Sequence, residues 1–290
     1  MKYYVLYNPL AGKGSAEADV NALSEKLSSE IVKCDITKIT SYEEFFADIN
    51  ADDTVILCGG DGTINRFINE TDGINIPCDI MYMPAGSGND FLTDVQKTRE
   101  ECPFSIKKYI ENLPTTTVKG KNYKFINNVG FGIDGYCCEV GDKKKLESTK
   151  PVNYTSIAIT GLLFHYKPTN ATIIVDGKQY CFKKVWLAPT MKGRYYGGGM
   201  MATPAQNRLH PEGELSVMVF NGGGRLKTLI AFPSIFKGEH IKHKMVTVLT
   251  GKEITVKFDG PRAVQVDGET ILDVTEYTAK AAVPAKVTAE

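Results

Sequence analysis

Over the first third of the chain, short apolar runs alternate with stretches whose apolar positions recur at helical spacing. Tyr3 to Tyr7, Ile31 to Ile36, Thr54 to Cys58 and Ile80 to Met83 read as strands. Between them, Ser15 stands where a helix with apolar positions Val20, Leu23 and Leu27 needs its N-cap, and Tyr42 to Ile49 and Thr63 to Asn69 read as further helices. This alternation predicts an open α/β domain on a parallel sheet, whose ligands sit beyond the carboxyl ends of the strands. Past about Thr117 the period becomes two. Lys121 to Asn127, Ala171 to Val175, Gln179 to Trp186, Leu215 to Phe220, Lys244 to Leu249, Glu253 to Phe258 and Ala263 to Val266 alternate as half-buried strands do. Asp176-Gly177, Asn221-Gly222, Asp259-Gly260 and Asp267-Gly268 are the turn signals that separate them. A second, β-rich domain follows, with helices only near Tyr154 to Phe164 and Lys227 to Phe236. The expected division is 1–118 and 119–280, with 281–290 returning to the first domain.

Composition narrows the class without naming a function. At 290 residues the chain is long enough for two moderate domains with real cores, and 42% hydrophobic with 23% charged residues is ordinary for a globular protein. Lys and Arg number 34, as do Asp and Glu, so the chain carries no net charge. That argues against coating nucleic acid while leaving room for local basic patches at Lys143-Lys144-Lys145 and Lys237 to Lys244. Seven scattered cysteines are neither a disulfide framework nor a zinc site. Because Met1-Lys2-Tyr3-Tyr4-Val5 enters a strand at once and the longest apolar stretch, Ile157 to Phe164, is short, neither a signal peptide nor a spanning helix is expected. A reduced, cytoplasmic protein is the expectation.

The chemistry concentrates in loops that follow strands. Cys58-Gly59-Gly60-Asp61-Gly62-Thr63 ends the third strand, Asn8-Pro9 with Gly12-Lys13-Gly14 the first, and Pro84 to Phe91 the fourth. Glycines allow another group to approach the backbone closely, and bare amides leading into a helix suit phosphate. Asp61 would repel that phosphate unless a divalent cation lay between them. Asp61 and Asp90 are carboxylates at strand ends able to hold Mg²⁺ directly or through water; a helix N-cap is the lesser reading of Asp90. Lys13 suits a phosphate or plain solvent. Asp267-Gly268-Glu269 between two strands reads, by itself, as a hairpin turn with solvated carboxylates.

Several motifs together resemble the diacylglycerol kinase catalytic-domain family, which includes bacterial diacylglycerol kinases and sphingosine kinases. They are Asn8-Pro9 with Gly12, Gly59-Gly60-Asp61-Gly62-Thr63-Ile64-Asn65, Pro84 to Phe91, Asn128 to Asp134, Tyr196-Gly197-Gly198-Gly199-Met200, Pro204-Ala205 and Asp267-Gly268-Glu269. They span nearly the whole chain, and the later ones separate it from NAD kinases and phosphofructokinases, which share the glycine–aspartate loop.

The resemblance implies a nucleotide-binding α/β domain, a β-sandwich-like second domain, and a cleft between them for ATP with Mg²⁺. Nucleotide contacts would fall on Thr40, on Gly59, Gly60, Asp61, Gly62, Thr63, Ile64 and Asn65, and on Gly86 and Ser87, with Asn8 in the adjacent loop. Thr40 also suits a helix N-cap. Glu269 matches the family's general base, acting with Asp61 and Asp90. A structural Mg²⁺ is implied near Leu209, Glu212 and Glu214, where Glu212 replaces the family's aspartate with a longer arm; His210 is expected at the surface. Met200, Met201, Phe131 and Tyr136 line an acyl pocket or belong to the core. The implied reaction is transfer of the γ-phosphate of ATP to a lipid hydroxyl, diacylglycerol giving phosphatidic acid, by a soluble protein touching the inner membrane face. Another lipid acceptor, an NAD kinase-like activity, a catalytically silent nucleotide- or lipid-binding regulator, and pairing with a second copy are alternatives the residues leave open.

Overall fold

The computed structural model describes residues 1–9, 19–23, 27, 29–85, 89–147 and 152–282, which divide into two units, Met1–Glu111 and Asn112–Glu290. Ser15, Lys13, Gly86 and Ser87 lie outside the described residues, as do residues 283–290 of the expected C-terminal return. Ala281, at the start of that return, still donates its amide to Lys252 O (2.7 Å) in the second unit.

In the first unit, β1 (Tyr3–Tyr7), β2 (Ile31–Asp35), β3 (Thr54–Gly59), β4 (Asp79–Pro84) and β5 (Phe104–Ser105) form a sheet in the order β2-β1-β3-β4-β5. The first four are mutually parallel and β5 is antiparallel. Strand β3 is buried along its whole length, as a central strand covered on both faces must be. The helices of this unit with fully described bounds include α1 (Tyr42–Ala47), α2 (Asp61–Glu70), α3 (Asp90–Asp94) and α4 (Lys107–Ile110). Val20 and Leu23, in the helical residues 19–23, pack on Val5 and Ile56. The chain leaves β1 toward one side and β3 toward the other, so the gap between their carboxyl ends is the topological switch point of the sheet. Register pairs Tyr7 with Cys58 and Gly59 with Pro84, which brings the carboxyl ends of β1, β3 and β4 to one edge.

Two local readings are corrected here. Ser41 rather than Thr40 caps α1, because the Ser41 hydroxyl accepts the Glu44 amide (3.2 Å). Asp90 is the first residue of its helix, not the N-cap, which is Asn89.

The second unit is antiparallel. Its strands are β6 (Thr115–Val118), β7 (Lys121–Lys124), β8 (Asn128–Gly132), β9 (Thr169–Val175), β10 (Lys178–Met191), β11 (Tyr195–Tyr196), β12 (Met200–Met201), β13 (Leu215–Asn221), β14 (Val246–Gly251), β15 (Glu253–Val266) and β16 (Glu269–Lys280). Strands β8 and β9 both bridge β10 and β15, at different heights. The two long strands bend to serve both, through irregularities at Val185/Leu187 and between Lys257 and Arg262. Asp259-Gly260, expected as a turn, is therefore a bulge inside one continuous strand, with Gly260 at φ +94°. The sandwich core includes Phe131 stacked on Phe258 at 4.6 Å, so Phe131 is core rather than pocket lining.

Helices α5 (Ile133–Glu147), α6 (Tyr154–Thr160) and α7 (Arg225–Ala231) cover this unit; α6 runs into a π-helical turn, Gly161–His165, and α7 into a 3₁₀ turn, Phe232–Lys237. The long helix α5 is absent from the sequence reading. It buries Gly135 and Gly141 beside Ile133 and Cys137, so it has no apolar stripe of large residues to reveal it. A Cβ on Gly135 would lie 2.1 Å from Ala263 O, which makes glycine the residue that lets α5 sit directly on β15.

Candidate functional site

At the carboxyl edge of the first unit, Gly60 ends the loop after β3 and α2 begins at Asp61. The first-turn amides of a helix have no acceptor within their own helix, and its dipole adds positive potential. The glycines on either side of Asp61 have different causes. A Cβ on Gly59 would lie 2.1 Å from Thr63 Oγ1, so packing alone requires glycine there. A Cβ on Gly62 would meet nothing within 4 Å, although glycine in a helix costs roughly 1 kcal/mol relative to alanine. Protein packing therefore does not require glycine at 62.

Asp61 also ties two loops together. Its Oδ2 accepts the Asp90 amide (2.8 Å) and its Oδ1 the Phe91 amide (2.9 Å), so it caps α3 from a different strand end. Buried Tyr82 reinforces the junction, donating from its hydroxyl to Gly59 O (2.9 Å). Each Asp61 oxygen accepts one of these bonds and keeps a lone pair, and buried Asp90 sits at the same helix start. Magnesium on a nucleotide takes phosphates and waters besides one or two carboxylates, so this pair suits it. Asn65 is buried on α2, and Thr40 lines a cavity of about 350 Å³ with Tyr42, Glu70 and Ile74.

In the second unit, Asp267 and Gly268 form the two-residue loop between β15 and β16, both at positive φ (+47° and +95°), the backbone a type I′ hairpin demands. The Asp267 carboxylate is half-buried and engaged by backbone. It accepts three consecutive amides, from Ile126 (2.6 Å), Asn127 (2.8 Å) and Asn128 (2.8 Å). Buried Arg208 holds the same segment from its other side through Ile126 O and Asn127 Oδ1 (2.7 Å). Glu269 follows directly and is exposed, so a free carboxylate rides on a turn whose position is fixed. Asp176, in the equivalent turn between β9 and β10, clasps the Lys252 and Glu253 amides. The Asp-Gly pair is thus a structural device in both turns, and only the one at Asp267 is followed by an acid.

Asp134 and Lys192 are buried ionisable groups of this unit that drew no role from the sequence. Asp134, on the first turn of α5, accepts the Gly135 amide on Oδ1 (2.8 Å), while Oδ2 has no hydrogen-bond partner among the described residues. Burial pushes its carboxyl up to about 7. Lys192 is 5% exposed, and burial, with the Arg208 charge alongside, lowers it to about 8. Tyr136 lines a cavity of about 390 Å³ together with Tyr166, Lys167 and Arg262.

The residues implied for a second metal do not fit one as they stand. Glu212 is paired with the Lys252 ammonium, and the Glu214 carbonyl accepts from Gln206 Nε2 (2.7 Å). Leu209 is exposed and donates its amide to Asn207 Oδ1 (3.0 Å). Among the described residues, no three His, Cys, Asp or Glu side chains cluster closely enough to hold a metal. No helix of those residues is long and apolar enough to cross a membrane.

Residues 2–120 match the family described as "Diacylglycerol kinase catalytic domain", and residues 127–288 the "YegS C-terminal NAD kinase beta sandwich-like domain". A diacylglycerol kinase of Mycobacterium tuberculosis (strain CDC 1551 / Oshkosh) is 26% identical over 282 residues, covering 92% of this chain and 88% of its own. YtlR of Bacillus subtilis (strain 168), named as a candidate lipid kinase, is 24% identical over 77% of this chain and 75% of its own. A solved chain described as a candidate diacylglycerol kinase from Bacillus anthracis str. Sterne superposes with a TM-score of 0.67, covering 97% of this chain and 92% of that one. At 19% identity it shares the fold, and that is all the likeness shows.

Proposed function

Because the chain belongs to the diacylglycerol kinase catalytic-domain family, with a YegS-type β-sandwich-like second domain, we propose that it transfers the γ-phosphate of ATP to a lipid hydroxyl, diacylglycerol giving phosphatidic acid. The observation that supports this reading is the loop at the switch point of the first sheet, where a helix begins at Asp61 and Gly62 has open space about its Cα. The nucleotide phosphates lie on the Gly60, Asp61 and Gly62 amides, with Gly59, Thr63, Ile64 and Asn65 completing the loop. Thr40 serves the nucleoside side, and Asn8 stands at the neighbouring strand end. Gly86 and Ser87 belong to the same nucleotide set.

Phosphoryl transfer asks the protein for positioning and charge neutralisation more than for covalent chemistry. Mg²⁺, when bound with the nucleotide, neutralises phosphate charge, and Asp61 and Asp90 are the residues that would hold it. Glu269 takes the proton of the lipid hydroxyl as its oxygen forms the new bond to the γ-phosphorus; the bond to the β-γ bridging oxygen breaks and ADP departs. The turn at Asp267 supports this role by fixing the base while leaving it open to solvent. A rigidly carried carboxylate loses little freedom on reaching the transition state.

The test is transfer of labelled γ-phosphate from ATP with Mg²⁺ to a panel of lipids in mixed micelles, with NAD as the control acceptor. Label on diacylglycerol is the expected result. Label on another lipid would reassign the acceptor, label on NAD would overturn the lipid reading, and none on any acceptor would overturn catalysis itself.

A further inference from the structure

The exposed apolar residues of the second unit are unevenly distributed. Twelve large hydrophobic side chains are exposed among the described residues, and seven of them fall within 154–165 and 225–242. Scattered exposed leucines need no explanation, but a concentration on adjoining elements does. The elements do adjoin: α7 packs on the π-helical turn after α6, and Arg225 Nη1 donates to Leu162 O (2.8 Å). Phe164 in that turn is 70% exposed; Leu226 and Ile230, one helical turn apart on α7, are 66% and 71% exposed. On the same helix Thr228 and Ala231 face inward and are buried, so α7 has a core-facing side and an outward apolar side. Phe236 extends the outward side into the following 3₁₀ turn.

Charge on these segments is equally one-sided. Residues 153–168 and 225–244 carry six Lys or Arg and a single acid, Glu239, in a chain whose total charge is zero. Lys227 and Lys237 lie in the outward stretch itself and are exposed. An apolar patch with cationic neighbours complements an anionic bilayer, which offers hydrocarbon below a layer of negative headgroups. A second copy fits poorly, because a two-fold contact sets the same patch against itself and brings like charges together.

We propose that this face of the second unit docks on an anionic lipid bilayer, with Phe164, Leu226 and Ile230 entering the headgroup–acyl boundary and Lys227 and Lys237 meeting the headgroups. The proposal deepens the lipid-kinase reading and rests on it for the choice of a membrane as the occupant. It assigns the contact to the helical face and not to Lys143-Lys144-Lys145, where Lys143 and Lys145 are already paired with Glu139 and Asp142 within α5.

The experiment is co-sedimentation of the full chain with phosphatidylcholine vesicles, with and without phosphatidylglycerol. It compares wild type, F164S/L226S/I230S and K227Q/K237Q, each checked for an unchanged melting temperature. Wild type should bind the anionic vesicles and weaken as salt rises. The triple variant should lose roughly 10³-fold in partitioning, from withdrawing three large apolar side chains. Each lysine substitution should cost about fivefold on anionic vesicles and little on neutral ones. If the triple variant binds as wild type does, the proposal is overturned. It is overturned equally if wild type is a dimer without vesicles and the triple variant a monomer, because the face would then be covered by a second copy. Transfer to a dispersed short-chain diacylglycerol, run in parallel, should be unchanged in the triple variant. Vesicle binding that follows the prediction in a protein that phosphorylates no lipid would defeat the kinase reading and leave this surface standing.

Discussion

The carboxylate of Asp61 accepts the backbone amide of Asp90 at 2.8 Å, joining the glycine loop after the third strand to the helix that follows the fourth. One acid therefore carries two loads, the capping seen here and the metal-holding proposed above, and a truncation confuses them. Asp61→Ala should remove acceptors from two amides and cost about 1–2 kcal/mol, the usual effect of losing a helix cap. Asp61→Asn keeps one acceptor and should melt between wild type and the alanine variant. Both should lose Mg²⁺-dependent nucleotide binding. An Asn variant that binds the nucleotide with undiminished Mg²⁺ dependence would leave Asp61 a purely structural residue.

The two acids of the second-unit turn should separate cleanly. Glu269→Gln changes an exposed side chain and should leave the melting temperature and ATP affinity alone while turnover falls roughly 10²-fold or more. Asp267→Ala orphans three amides and should cost about 2–4 kcal/mol of stability. Thermal melts beside steady-state rates check both. Full turnover in the Gln variant would remove Glu269 as the base.

Opposite pH signatures are expected from buried Asp134 and Lys192. Folding raises Asp134 from 3.8 to about 7, so in that window the folded chain binds a proton the unfolded chain has released. Its contribution lowers stability as pH climbs from about 4 to 7. Lys192 is lowered from 10.5 to about 8, so there the unfolded chain binds the extra proton and stability rises between those values. Asp134→Asn should flatten the first slope and Lys192→Met the second, read as melting temperature against pH with wild type as reference. Curves parallel to wild type in both windows would contradict these assignments.

The Glu212–Lys252 pair makes a statement about metal. Chelating divalent ions without nucleotide should leave the melting temperature of wild type unchanged, and Glu212→Gln should respond as wild type does. Lys252→Ala removes the counter-charge and should make the protein more responsive to added Mg²⁺. A chelator-sensitive melt that Glu212→Gln abolishes would establish the second metal site that the pairing argues against.

Much of this was legible in the chain, for identifiable reasons. Strand β1 was readable to the residue and β3 to within one, because a continuous apolar run flanked by turn residues has few other solutions. The Gly59 to Asn65 motif is local, so it pointed to an anion site without any tertiary contact. Helix α5 was not legible, since the glycines that let it approach β15 erase the apolar period that would announce it. The bulge at Asp259-Gly260 reads as a turn in the sequence because turn chemistry and bulge chemistry use the same residues.

What the sequence determined by itself was the alternation of elements, the two-domain class and the glycine-rich loops that carry the candidate chemistry, all set by interactions among near neighbours. Tertiary structure alone decided which acids are employed structurally and which are left open. Asp267 is bonded to residues about 140 positions away and Asp61 to residues about 30 away, while Glu269 beside the first is free to solvent. Hydrogen bonds across such separations depend on strand order and register, which no local pattern encodes.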